Sequence, residues 1–272
     1  RREDALQAEV VLPFLRYRRY LSLHFTALEQ RERDDYLALG QTEAPATRDG
    51  LVGTGILYDS ARNYPLSVSR SNGRQVSMVA EDSDTVRSDY QGEVYTFDWR
   101  EFFALGREHV LAVRFVEGWG TDNPRPFELG GSKPAGPGSL AAVLGNTATF
   151  LDLFNQREYG LRGYPRGLPQ LRGRRMQLVS LEYRFPVMRI ERGAMVPFPI
   201  AAHEVFGSAF VDSGATWDSG SSPDNYFTGA GLEANANIGL FYGYPIHLRA
   251  GYGHGFDAGG HDEVYLQLGA AF

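Results

Sequence analysis

Toward its C-terminus the chain alternates between apolar residues and polar or small ones. Val264, Leu266, Leu268, Ala270 and Phe272 share one parity, and Glu263, Tyr265, Gln267, Gly269 and Ala271 the other. Successive side chains of a strand point to opposite faces, so the segment has one apolar and one polar face. The same period returns along the whole chain, in the stripes Leu6, Ala8, Val10, Leu12, Phe14 and Leu21, Leu23, Phe25, Ala27. Tyr95, Phe97 and Trp99 stand against Thr96, Asp98 and Arg100, and Val179, Leu181, Tyr183 and Phe185 against Ser180, Glu182 and Arg184. Ala230, Leu232, Ala234 and Ala236 oppose Gly231, Glu233 and Asn235, and Ile246, Leu248, Ala250 and Tyr252 oppose His247, Arg249 and Gly251. No segment carries the helical period. The chain is therefore all-β, built of strands with two unlike faces.

Charged and amide residues on the second face are costly in a dry core. They are tolerated where the interior is wet and the exterior meets lipid, as in an antiparallel transmembrane β-barrel. A soluble β-sandwich with its polar face in solvent is the competing architecture. Aromatic residues near the ends of the apolar stripes favour the barrel, where they form interfacial girdles. Apolar stretches such as Met195–Ala202 fall far short of the ~18–20 residues of a spanning helix, which excludes a helical membrane protein. Mean hydropathy is −0.32, a polar average that a barrel tolerates because only alternate residues face lipid. Bacterial outer-membrane barrels commonly end on such a strand with a terminal Phe. The signal carried by Val264, Leu266, Leu268, Gly269, Ala270 and Phe272 thus points to the bacterial outer membrane and a lipid bilayer as surroundings. There is no Cys, which removes disulfides and thiolate metal sites, and a net charge of −6 gives no support to nucleic-acid binding.

The connections sort into two alternating kinds. Residues 16–19, 62–73, 103–107 and 238–243 are short, whereas 32–50, 82–89, 120–174, 214–225 and 256–262 are mostly longer and rich in Gly, Asp, Ser and Pro. That is the pattern of periplasmic turns and extracellular loops. Met188–Ala201 is the exception, long and apolar on the short side. Eleven strands are expected within a single barrel domain, 1–272. Single-chain bacterial barrels have even strand numbers, and residue 1 is an Arg with no export signal near it. Missing N-terminal strands and a missing periplasmic part are the expectation.

The connection at 120–174 is too long for a passive turn. It holds Phe127-Glu-Leu-Gly-Gly131 and Leu161-Arg-Gly-Tyr164, and is followed by Ser180-Leu-Glu-Tyr-Arg-Phe-Pro186 and Phe210-Val-Asp-Ser-Gly214. In order and placement these motifs resemble the BamA/TamA superfamily of outer-membrane assembly factors and two-partner-secretion transporters, the bacterial surface antigens. The resemblance implies the C-terminal portion of a sixteen-stranded barrel, with an Arg-Gly-aromatic tip (here Leu161, Arg162, Gly163 and Tyr164) folded into the lumen. It also implies inner-wall partners at Glu182, Phe210, Asp212 and Gly214. The second half of the chain also resembles barrels preceded by a TolB-like propeller. Independently of the family, strand parity turns Glu182 and Asp212 inward, and an Arg fork suits their carboxylates.

Other candidates are weaker. His24 and His247 fall on inward faces, but no motif joins either to the inward serines Ser180 or Ser208, so no catalytic residue is assigned. Asp257, His261 and Asp262 suit a hydrated loop better than a cation site, as do Asp82, Asp84 and Asp89. Gly229-Ala-Gly231 lies on a strand and is no phosphate loop. No metal or cofactor is expected. The expected function is non-enzymatic: an outer-membrane barrel aiding insertion or passage of unfolded outer-membrane or secreted polypeptides, with periplasmic domains or lipoproteins as possible partners. The alternative is a passive pore or structural barrel.

Overall fold

The computed structural model describes residues 2–33, 47–62, 69–106, 108–132, 153–193, 200–218, 220, 222, 223, 225–240 and 244–270. Six strands come first: β1 (Arg2–Arg16), β2 (Arg19–Arg33), β3 (Thr47–Asp59), β4 (Gly73–Asp82), β5 (Glu93–Ala104) and β6 (Val110–Gly120). Within the following connection lie the short strands β7 (Phe127–Leu129), β8 (Glu158–Tyr159) and β9 (Arg172–Gly173). Five more complete the chain: β10 (Arg175–Gly193), β11 (Ile200–Trp217), β12 (Phe227–Leu240), β13 (Tyr244–Gly255) and β14 (Asp262–Ala270). Eleven strands form one sheet in the order β1-β2-β3-β4-β5-β6-β10-β11-β12-β13-β14, and β8-β7-β9 make a separate small sheet. Every neighbouring pair in the large sheet is antiparallel. This is the expected all-β, antiparallel barrel-type architecture.

Because sequential strands are neighbours, connections leave alternate ends of the sheet. The small sheet belongs to the connection between β6 and β10, at the same end as those joining β2 to β3, β4 to β5, β11 to β12 and β13 to β14. Here the structure corrects the sequence reading at Met188–Ala201. Strand β10 continues to Gly193 and β11 begins at Ile200, so most of that segment is strand. Register shifts between Pro186 and Met188 and between Arg189 and Arg192 broke the alternation by which the strand would have been read.

The apolar parity faces outward and is exposed: Val264 is 82 % and Leu266 70 % exposed, with Leu6, Val10, Ile56, Met78, Leu181, Val211 and Leu232 on the same face. Leu268, Gly269 and Ala270 continue β14 in register with Leu248, His247 and Ile246. Phe272 lies outside the described residues. The inner face is not uniformly wet, contrary to the expectation of an aqueous bore. Inward Val94, Val116, Met176 and Leu178 pack with Phe127, Leu129, Tyr159, Leu161, Tyr164 and Leu171 of the long connection into a buried apolar cluster. The connection folds back inside the sheet and makes a core there.

Candidate functional site

The tip of the connection places Arg162 on the inner wall. Its Nε and Nη2 donate to Asp212 Oδ2 at 2.6 Å and Oδ1 at 2.7 Å, a fork-to-fork pair, and Nη1 donates to Glu233 Oε1 at 2.9 Å. The guanidinium carbon lies 3.4 Å from the centroid of the Phe210 ring. Arg162 is 7 % exposed, Asp212 1 % and Glu233 5 %. Burial by itself would weaken the Arg162 charge, but Asp212 first and Glu233 next more than restore it, so it holds its proton more firmly than an ordinary arginine. A buried pair such as this contributes mainly by fixing position, and breaking one side costs far more than the pair adds.

Glu233 is the hub of the site. Besides Arg162 it accepts from Arg249 Nε at 3.1 Å, from the Ser208 hydroxyl at 3.2 Å and from the Tyr265 hydroxyl. Strands β11, β12, β13 and β14 are thereby joined to the loop through one carboxylate. Glu182 takes a different place from the one sequence reading gave it. It faces inward and its charge supports Arg162 from a distance, but its carboxylate accepts from Arg184 Nε at 3.2 Å and makes no direct ion pair with Arg162. Parity alone could have singled out Glu233, which alternates inward on β12 as Glu182 does on β10.

Glycines shape the floor under the tip. Gly163 has φ +91°, the left-handed region that favours glycine, and a Cβ there would sit 2.5 Å from Gly255 N. Gly163 N–H donates to Glu263 Oε2 at 3.1 Å, and its carbonyl accepts from His261 N–H at 2.9 Å. A Cβ on Gly229 would lie 2.1 Å from the Arg162 carbonyl oxygen. Gly229 thus belongs to the seat of the loop. Gly214 likewise leaves room for Leu129 of β7. The Tyr164 hydroxyl lies 2.9 Å from the Thr228 carbonyl and 3.1 Å from Asp257 Oδ2, and accepts from Asp257 N–H at 3.0 Å. Burial first, and then the Asp257 carboxylate, raise its pKa against the opposing bond from Asp257 N–H, so it stays a neutral donor.

Two anchors that sequence reading missed hold the far side of the loop. Arg157 pairs with Glu81 of β4, both side chains almost wholly buried, and Arg125 Nη1 meets Asp49 Oδ2 of β3 at 3.0 Å. Asn155 Nδ2 donates to Gln30 Oε1 of β2 at 3.0 Å. The loop therefore spans from β2–β4 on one wall to β11–β14 on the other. No local motif marks Arg157 or Arg125, because their partners lie 76 residues away in each case.

The remaining candidates have ordinary roles. Ser208 bonds Glu233 and Asn235, and His247 bonds Asn235 and Asn237. Ser22 Oγ lies 2.7 Å from His24 Nε2, whose Nδ1 lies 2.7 Å from Glu9 Oε1. Ser22 is wholly buried, and the chain of bonds runs along the inner wall from β2 to β1. Asp257 serves Thr228 N–H and Tyr164, while Asp262 serves Tyr252 and His254. Asp82 accepts from Asp84 N–H, and Asp89 from Arg48 N–H. Among the described residues no group of three or more His, Asp or Glu side chains is placed to hold a metal.

Neither a family model nor a curated protein sequence matches the chain. The fold is similar to that of a solved structure, the BamA from Haemophilus ducreyi lacking POTRA domains 1–3, with a TM-score of 0.62 and 13 % sequence identity. That alignment covers 99 % of this chain and 54 % of the other, so the chain spans about half the length of the protein it matches.

Proposed function

We propose that this chain is the barrel of an outer-membrane assembly or translocation factor, acting on polypeptides by strand templating and not by bond chemistry. The observation that carries the reading is the buried bridge from Arg162 to Asp212 and Glu233, set in a loop that crosses the lumen. The exposed apolar outer face is the second support, since contiguous apolar surface of that extent requires lipid or a partner. Placed in a bilayer, the sheet sends the end bearing the 121–174 connection to the cell exterior and the opposite end, whose connections are short apart from residues 60–72, to the periplasm.

In this reading the loop braces the lumen while a sheet margin receives an incoming strand through backbone hydrogen bonds. Strand β14 fits that task because its inward side chains are held from inside. Glu263 reaches Gly163, Tyr265 reaches Glu233, and Gln267 Nε2 donates to Ser132 Oγ at 2.7 Å. Its backbone edge is fixed in place without a further strand having to bind it. The apolar cluster between loop and wall argues against a passive pore, which needs a continuous aqueous path.

The test is to reconstitute the protein in liposomes and present an unfolded outer-membrane polypeptide carrying a photo-crosslinker. Crosslinks concentrated on β14, and accelerated folding of the client, are the expected result. Free ion conductance with no effect on client folding would replace this reading with the pore.

A further inference from the structure

On the outer face at the long-connection end, one lateral row runs across four strands: Tyr95 of β5, Trp119 of β6, Arg175 of β10 and Trp217 of β11. The Arg175 guanidinium carbon lies 5.3 Å from the centre of the Trp119 ring, and the Tyr95 and Trp119 ring centres are 6.1 Å apart. The inward arginines Arg100, Arg114, Arg157, Arg162, Arg184 and Arg249 each meet a carboxylate. Arg175 meets none among the described residues, and its buried Nε has no hydrogen-bond partner there. Exposed Arg172, just before it in the chain, also has no ion pair among the described residues.

The same row continues from Tyr95 to Ala80 of β4 and Thr54 of β3, and along it, on the outer face of β3 to β6, runs an apolar groove of about 490 Å³. Ile56, Met78, Phe97, Tyr95 and Trp119 form its ridges, and Ala80 leaves the space between them. Its one acidic lining residue is Glu117, exposed on the outward parity of β6, two residues short of Trp119. That spacing sets it about 6.6 Å along the strand from the aromatic row. Gln177, opposite Glu117 on β10, is taken up by the Tyr226 hydroxyl. Glu117 has no ion pair among the described residues. An ionisable side chain on an apolar outer wall is costly unless something meets it.

From the cation, the groove and the carboxylate together we infer that this face binds one phosphate-bearing lipid of the outer leaflet whose acyl linkages carry hydrogen-bond donors. The phosphate meets Arg175, whose planar fork suits it while stacked on Trp119. An acyl chain lies in the groove over Ala80. Glu117 accepts from the linkage region. A carboxylate offers only acceptors, so it repels ester oxygens and favours an amide N–H or a chain hydroxyl. Such a lipid has phosphate, then donor, then alkyl chain in the order in which Arg175, Glu117 and the groove are met. The inference rests on the membrane reading above.

The test uses the full protein in nanodiscs and native mass spectrometry, with three lipids: phosphorylated lipid A, its dephosphorylated form, and dioleoylphosphatidylglycerol. The wild type is expected to retain phosphorylated lipid A over both others. Arg175→Gln should lower retention about tenfold, the loss of one charge-assisted contact. Glu117→Gln should erase the preference over the ester lipid, and Ala80→Leu should block retention by filling the groove. Equal retention of the three lipids by the wild type, or unchanged retention in both Arg175→Gln and Ala80→Leu, overturns the site while leaving the barrel reading intact. A protein that enters no nanodisc overturns the membrane reading and the site with it.

Discussion

Arg162 is held by a fork, a stack and a third donor at once, and a lysine supplies none of these in the same geometry. Arg162→Lys is therefore expected to behave like Arg162→Ala. Alanine leaves buried Asp212 without its cation, a cost of roughly 3–5 kcal/mol at the loop seat. Lysine keeps a charge but can form neither the fork to Asp212 nor the stack on Phe210. Glu233 retains Arg249 in both variants. The barrel should still migrate as a folded species in cold electrophoresis, while residues 121–174 become cleavable by added protease and client folding slows. Wild-type protection of the loop in Arg162→Ala would remove the bridge from the mechanism. A second comparison separates the two acidic candidates. Glu233→Gln is expected to lower the midpoint of the heat-induced mobility shift well below that of Glu182→Gln, because Glu233 serves Arg162, Arg249, Ser208 and Tyr265 while Glu182 serves Arg184. Equal midpoints would show that the hub role is wrongly assigned. At this scale the sequence was legible in part: alternation turns Glu182, Asp212 and Glu233 to one face. The choice among three inward carboxylates depends on how far each strand is displaced along its neighbour, which parity does not encode.

Between elements, the loop and the wall fit because backbone meets backbone. The Arg162 carbonyl crosses β12 at Gly229, and Gly163 crosses β13 at Gly255, with no space for a methyl group at either. Gly229→Ala should thus displace the loop tip without disturbing the pairing of β12 with β11 and β13, seen as new protease cleavage near Tyr164 in an otherwise folded barrel. The opposite wall offers an independent handle. Glu81→Ala removes the partner of buried Arg157 and is expected to release residues 153–159 while leaving the Arg162 seat closed. If both ends let go together in that variant, the loop moves as one rigid strut. The glycines were visible in the sequence as unusual strand residues. What they make room for is a segment more than sixty residues away, and only the folded chain brings the two together.

The whole molecule is a sheet whose outer face is apolar and whose interior carries both ion pairs and a dry cluster. That cluster packs the long connection against the inner wall at Phe127, Leu129 and Leu161, so the reconstituted protein is expected to conduct ions weakly. Replacing residues 121–174 with a short turn should raise single-channel conductance severalfold in planar bilayers. A wild type that conducts as freely as the deletion would mean that the loop does not occlude the lumen.

The sequence by itself determined the class of the fold, the number of large strands, roughly where the connections fall and which residues of most strands face in or out. These follow from a period of two and from local turn composition, both of which survive in any single strand. It missed the strand around the Pro186–Arg192 bulges, where the period slips. Only the tertiary structure decided that Glu233 is the hub, that Arg157 and Arg125 hold the far wall, and that part of the interior is dry. Each of these depends on the register between strands and on a long loop returning inside them. Contacts closed across the lumen join residues that no local pattern relates.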